Sequence, residues 1–203
     1  QSAVWNAKGE LVSQLDTTNQ GVLIYDFETE RSEKEQHTIE KGNASDLDSL
    51  FQIYKAAKET LEDNNIYQWT DNYPTRQIIG NDIETDVLYI LKNNNEIIGA
   101  INISKDQEAE YEAVNWQFNE AKVLVIHRLV IHPKSQKRGY AKLLMEFVEK
   151  YAKQNNFTSI RLDAYSQNKR VVEFYKRRHY FIRGEIYFPE REYPFYGMEK
   201  EIT

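Results

Sequence analysis

Cysteine is absent from the 203 residues, which removes disulfides, thiolate zinc sites and cysteine nucleophiles at once and suits a reducing compartment. Histidine is scarce. His37, His127, His132 and His179 are scattered and join no His/Asp/Glu cluster at i, i+4 spacing, so no metal site is legible. No apolar run approaches the ~18 residues of a membrane span, and nothing after Gln1 resembles a signal peptide. Positive charge is in deficit, 26 Lys and Arg against 32 Asp and Glu for a net −6, which argues against a general nucleic-acid partner. The expectation is a cytoplasmic protein with neither nucleic acid nor membrane as partner.

What is present is enough chain for one well-filled core and a small appendage, at 40% hydrophobic and 13% aromatic residues, a composition that excludes disorder. Residues 1–36 read as a β-rich appendage and linker. Strand-like runs at 10–15 and 21–27 flank a polar turn at 16–20 and can pair as a hairpin, and the charged stretch 28–36 reads as the linker. The main domain is expected over 37–203. It begins with a strand at 37–41 and a helix capped by Ser45, whose buried stripe is Leu47, Leu50, Phe51, Tyr54 and Leu61. Tyr73 and Pro74 open a second helix that runs to about Ile83. Strands at 86–91 and 96–103 form a hairpin through the asparagine-rich turn 92–95. The polar loop 105–121 carries Trp116 and Phe118, which either cover a pocket or dock the loop. A strand at 159–165, a helix from about Asn168 and strands at 180–186 and 193–202 complete the order βααβββαβαββ, which suits an α/β fold with a mixed, twisted sheet.

One stretch organises the rest. The β-branched and leucine-rich run 123–131 has strand composition and stops at Pro133, which has no amide hydrogen for a ladder. From Tyr140 the apolar residues Tyr140, Leu143, Leu144, Phe147, Val148 and Tyr151 recur at helical spacing. Between strand and helix lies the basic turn 136–141. The first N–H groups of a helix have no intrahelical partner and sit at the positive end of its dipole, so they can hold a diphosphate, and the small Gly139 and Ala141 let it approach the backbone.

These residues resemble the GNAT (Gcn5-related) N-acetyltransferases, whose pyrophosphate loop reads Arg/Gln-x-x-Gly-x-Gly/Ala between a strand and a helix. Gln136, Gly139 and Ala141 match that pattern, and the resemblance covers roughly residues 37–203. It implies the GNAT fold, an α/β architecture with a mainly antiparallel twisted sheet flanked by helices, and acetyl-CoA as acetyl donor. It further implies that Leu129, Val130 and Ile131 meet the pantetheine and offer a main-chain N–H to the thioester where the sheet splays. Gln136, Lys137, Arg138, Gly139, Tyr140 and Ala141 would hold the diphosphate, and Arg138 and Lys142 would meet the ribose phosphate.

A second motif, Asn168-x-x-Val171-x-x-x-Tyr175-x-x-x-His179-Tyr180, is similar to the family's Asn-x-x-Ala-x-x-x-Tyr-x-x-x-Gly-Phe. By that likeness Asn168 lies on the pantetheine side and the Tyr175 hydroxyl lies near the sulfur. His179 departs from the pattern, because the glycine there ends the helix in a left-handed conformation that costs histidine energy. Direct acetyl transfer needs a neutral amine, a donor to the carbonyl oxygen and a proton for the leaving thiolate. A phenol with pKa near ~10 stays protonated and can supply that proton. His127 is the first candidate for the base, with a glutamate or ordered water as the family's other solutions. Strand alternation puts His127, Leu129 and Ile131 on one face and Arg128, Val130 and His132 on the other.

In this family the first two helices wall the acceptor site, which makes Trp69 and Tyr73 its candidate lining, together with Trp116; Glu185, Glu190 and Glu192 could meet a cationic amine. The expected activity is transfer of acetyl to a primary amine of a small molecule or peptide by direct attack, with no metal. The alternative is a non-catalytic acyl-CoA-binding or regulatory module appended to a hydrolase, since residues 2–16 and 21–26 look like the closing strands of a carbon-nitrogen hydrolase (nitrilase) domain. None of that family's Glu-Lys-Cys residues carries over. Exposed terminal strands can pair between chains, so the sequence allows a homodimer.

Overall fold

In the computed structural model, which describes residues 3–5, 11–14, 21–26, 31–118 and 122–202, the chain starts with four strands: β1 (Ala3–Trp5), β2 (Leu11–Gln14), β3 (Gly21–Asp26) and β4 (Arg31–Lys41). Helices α1 (Leu47–Glu62) and α2 (Arg76–Glu84) follow, then β5 (Leu88–Asn93), β6 (Glu96–Ser104) and β7 (Val123–Ile131). Helix α3 (Tyr140–Gln154), β8 (Ser159–Tyr165), α4 (Lys169–Lys176), β9 (Phe181–Ile186) and β10 (Phe195–Glu201) complete it. From β4 onward the order is the one expected from the sequence, and apart from the start of β4 each boundary falls within a few residues of the expected one.

Among the described residues, one sheet has the order β3-β4-β5-β6-β7-β8-β10-β9, and β1 and β2 form a separate pair. Every pairing is antiparallel except β7 with β8. The architecture is therefore the mixed α/β, mainly antiparallel sheet of the GNAT expectation. Helices cover both faces. Leu50, Ile53 and Ile79 of α1 and α2 pack on Ile90, Ala100 and Val130, while Leu144, Met145 and Val148 of α3 and Val172 of α4 pack on Leu124 and Ile160 on the other side. A third cluster, Tyr111, Val114, Trp116, Val125, Ile186 and Phe195, seats the loop after β6.

Four local expectations change. The runs around β2 and β3 do not pair with each other: β2 pairs with β1 and β3 with β4. Arg31–Gln36 is strand rather than linker, because a charged stretch without Gly or Pro can hold a ladder once a partner lies beside it. Residues 15–20 and 27–30, the expected turn and the start of the expected linker, lie outside the described residues. The cap before α1 is Asn43, which accepts from the Ser45 N–H at 2.9 Å while Asp46 accepts from the Asn43 N–H at 3.0 Å, closing a capping box around a short 3-10 turn; Ser45 lies inside that turn. Helix α2 is capped by the Thr75 hydroxyl, 3.2 Å from the Ile78 N–H, so Pro74 precedes the helix rather than opening it. The β5–β6 turn is the expected one, with Asn94 and Asn95 at φ 48° and 68°.

Candidate active site

β7 and β8 pair only from Val123 with Ser159 to Ile126 with Leu162. Beyond that point β7 stays with β6 and β8 stays with β10, so the two halves of the sheet splay. A cavity of about 430 Å³ opens in the parting, lined along its strands by Ile126, His127, Arg128 and Leu129 on one side and by Leu162, Asp163, Ala164 and Tyr165 on the other. Its walls come from both faces of the sheet. Ala141, Val171 and Tyr175 belong to the α3–α4 layer, and Trp69, Tyr73 and Glu108 to the opposite one.

The splay coincides with a bulge. Ala100 pairs with Val130 and Asn102 with His127, so β7 carries one residue more than β6 across this step, and Arg128 has φ 51°. The extra residue reverses the alternation. Leu124 and Ile126 face α3, as do Leu129 and Ile131 after the bulge, whereas Val125 and Val130 pack on the other side. The expected sharing of one face by His127, Leu129 and Ile131 is thus corrected: His127 lies on the opposite face, with Val125.

The bulge is held by polar contacts. The Tyr54 hydroxyl donates to the Arg128 carbonyl at 2.8 Å. The Arg128 guanidinium donates to both Asp82 oxygens, at 2.8 and 2.7 Å, and to the Tyr73 hydroxyl at 2.9 Å. Tyr73 therefore lines the cavity with its hydroxyl engaged, and burial raises its pKa against the opposing pull of Arg128.

His127 is buried and lies 3.0 Å from the Asp106 carbonyl through Nε2. A carbonyl only accepts, so Nε2 carries the proton and Nδ1 is the acceptor of the neutral ring. Asp163 lies on the same cavity and accepts from the Tyr111 hydroxyl at 2.8 Å. Burial lifts its pKa above the ordinary carboxylate value; Tyr111, His127 and Arg128 oppose that rise, and Glu108 adds to it. Tyr175 is 6% exposed, no described residue hydrogen-bonds its hydroxyl, and burial, reinforced by the Asp163 charge, raises its pKa well above that of a free phenol. It is a firm proton holder at neutral pH.

The remaining expected residues divide. Leu129 and Ala141 line the cavity, while Val130 and Ile131 are core. Trp69 lines the cavity beside Tyr73. Trp116 does not: it is 5% exposed in the third cluster, its indole N–H donates to the Tyr111 carbonyl at 2.9 Å, and the Arg161 guanidinium sits 4.5 Å above its ring. It docks the loop. Asn168 caps α4 by accepting from the Val171 N–H at 3.3 Å and donates to the Gln68 side chain at 2.7 Å, so both its polar groups are used within the protein; it positions α4 rather than facing the cavity. Glu185 accepts from the Tyr187 hydroxyl at 2.6 Å and, like Glu190 and Glu192, stays off the cavity wall. His132 accepts from the Lys134 N–H through Nδ1 and is local structure.

At the start of α3, Gly139 has φ 88°, no side chain caps the helix, and a Cβ built on Gly139 would meet nothing within 4 Å. Gln136 donates to the Ile131 carbonyl at 3.2 Å, tying the turn to β7, and Lys137 and Arg138 are exposed. The Tyr140 ring points inward and lies tilted against His37 at 5.1 Å, which leaves its main chain as the part available to a ligand. Lys142 lines a second, shallower groove with Lys169, Arg170 and Arg177, so basic residues of α3 and of α4 and its end meet across it. Among the described residues no His/Asp/Glu group could hold a metal ion, and no helix is long and apolar enough to cross a membrane.

Sequence reasoning missed Asp163, Glu108, Glu110 and Arg191, all of which line the cavity. For Asp163 a signal existed, an acid inside a strand that is otherwise mainly apolar, costly to bury without a use. Glu108 and Arg191 stand in loops and Glu110 in a short 3-10 turn, where charge carries no such signal.

The acetyltransferase (GNAT) family profile matches residues 47–180. The chain belongs to that family. Among solved structures, this GNAT chain is similar to a Staphylococcus aureus Mu50 protein described as an acetyltransferase, at 26% identity and TM-score 0.64 over 82% of this chain and 99% of that one. It is also similar to the PaiA N-acetyltransferase of Thermoplasma acidophilum in complex with coenzyme A, at 17% identity and TM-score 0.60 over 82% and 99%. A third is the ribosomal-protein-S18-alanine N-acetyltransferase of Escherichia coli, at 12% identity and TM-score 0.61 over 83% and 95%. At 17% and 12% identity the likeness is one of fold. No curated protein matches the chain.

Proposed function

We propose that this GNAT domain, taken as residues 37–203 with 1–36 as its appendage, transfers acetyl from acetyl-CoA to a primary amine of a small molecule or peptide by direct attack. The observation that carries the reading is the parting of β7 from β8, which leaves Tyr175, His127 and Asp163 on one cavity entered from both faces of the sheet. Acetyl-CoA supplies the activated acetyl group as a thioester. The residues present suit it: the uncapped start of α3 at Gly139, open above the backbone, and the basic groove of Lys142, Lys169 and Arg177 accept phosphates, and Leu129 and Ala141 give an apolar wall.

The chain's own groups then divide the work. Main-chain N–H groups beyond the bulge, on the strand segment that leaves β8, are the donors available for the carbonyl oxygen. His127 Nδ1 and the Asp163 carboxylate lie on the acceptor side, where either can take the amine's proton directly or through water. Tyr175 Oη holds a proton for the departing sulfur. Trp69 and Tyr73 exclude water from the acceptor. Thiol release from acetyl-CoA with a panel of amines, with mass spectrometry of the products, tests the reading. Amine-dependent release above hydrolysis is expected; coenzyme A binding with no amine turned over would leave a binding module instead.

A further inference from the structure

Arg191 is a guanidinium without a counter-ion on the cavity wall. Its Nε is buried and has no hydrogen-bond partner, and it forms no ion pair with any described carboxylate. Nearby, Arg128 is matched with Asp82, and Arg161 and Arg183 with Glu199. Leaving that buried Nε without an acceptor is costly unless a ligand supplies one.

The position is built. Arg191 closes a turn in which its N–H donates to the Phe188 carbonyl at 3.3 Å, with Pro189 and Glu190 at the centre and Glu190 at φ 60°. Phe188 meets Phe195 edge-on at 5.1 Å, and Phe195 meets Tyr165 at 5.0 Å, so an aromatic ladder fixes the turn against the cavity.

Asp163, Glu108 and Glu110 line the same cavity. Of the cations on that wall, Arg128 is already neutralised by Asp82 and Arg170 also lines the α3–α4 groove, which leaves Arg191 among these carboxylates to complement a molecule that carries both an ammonium and a carboxylate. The planar fork of arginine matches a carboxylate. We infer that the acceptor is a zwitterionic amine of the amino-acid class, with its carboxylate held by Arg191. This rests on the acetyl-transfer reading above, because it names the substrate of that same site.

The test compares free amino acids with their carboxamides as acceptors, in the wild type and in Arg191→Gln and Arg191→Lys. In the wild type the acids should exceed their amides in kcat/KM by about tenfold or more, the effect of a charge-assisted hydrogen bond. In Arg191→Gln that ratio should fall to about one, through KM for the acids, and Arg191→Lys should keep part of it. Turnover without an acid preference overturns the inference and leaves acetyl transfer standing. So does an Arg191→Gln variant that lowers acids and amides alike together with Tm, since that marks a structural role. If no amine is turned over, the transfer reading fails and binding decides: a rise in Tm on adding amino acids to the coenzyme A-bound wild type, lost in Arg191→Gln, supports the carboxylate site, and no rise overturns it.

Discussion

Arg128 and Asp82 form a two-point ion pair, Nε to Oδ2 at 2.8 Å and Nη2 to Oδ1 at 2.7 Å, with side chains only 9% and 10% exposed. It joins α2 to the bulge of β7, where Arg128 lines the cavity. A residue at φ 51° that is not glycine persists only where its surroundings over-determine it, and here Asp82, Tyr73 and Tyr54 do so together. Asp82→Ala would leave a buried guanidinium with Tyr73 alone. We expect it to cost about 3–5 kcal/mol of stability in urea unfolding, the usual penalty for breaking a buried pair from one side. A loss below about 1 kcal/mol would mean that the pair behaves as a solvated one.

Asp163 gives the protein a pH dependence whose sign can be worked out. Burial raises its folded pKa above the unfolded value, so the folded state binds the proton more tightly. The stability from that proton is fully present below the unfolded pKa and is lost as pH rises through the folded one. Asp163→Asn removes this term while keeping an oxygen to accept from Tyr111. Its Tm advantage over the wild type should therefore grow as pH is raised from about 4 toward 7, across the span above an ordinary carboxyl pKa. Calorimetry at several pH values checks this, and a constant difference would mean that the carboxyl is not perturbed.

Much of this was legible in the chain, and the gaps share a cause. The strand-turn-helix at 123–154 and the run from Asn168 speak through local pattern, so strand β7, helix α3 and the start of α4 near Asn168 came out as read. Strand alternation failed at His127 because the bulge opposite Ile101 inserts a residue, and a bulge leaves no mark in a run of Val, Leu and Ile. Trp116 could be seen as an aromatic in a loop, but whether it covers a pocket or docks depends on Tyr111 and Arg161, partners 5 and 45 residues away along the chain. The acidic and basic lining at Glu108, Asp163 and Arg191 converges only through the sheet order, which places β8 between β7 and β10.

His179 is a case where the expected cost is visible. It adopts φ 66°, its N–H donates to the Lys176 carbonyl at 2.9 Å, and the Tyr180 N–H donates to the Tyr175 carbonyl at 3.1 Å, so α4 ends in a Schellman motif with histidine in the left-handed position. His179→Gly should relieve that conformation. The expected gain is about 1 kcal/mol, reduced somewhat by glycine's freedom in the unfolded chain. Denaturant midpoints measure it; a loss of stability would mean that the imidazole makes contacts that outweigh the backbone term.

Tyr175→Phe separates catalysis from folding more cleanly than any other single change. The phenol is 6% exposed and its hydroxyl has no hydrogen-bond partner among the described residues. The ring packs against Tyr180 at 5.8 Å and against Phe174 at 5.3 Å. Phenylalanine keeps these ring contacts and removes only a hydroxyl on the cavity wall that no described residue bonds, so stability should stay near the wild-type value. If the hydroxyl holds the proton for the leaving sulfur, kcat should fall by about a hundredfold or more, the size of a general acid's contribution. KM for acetyl-CoA should stay near its wild-type value, because phosphate binding at the start of α3 and the α3–α4 groove does not involve this group. An unchanged kcat would remove Tyr175 from the chemistry, and a lowered Tm would show that its hydroxyl serves the fold.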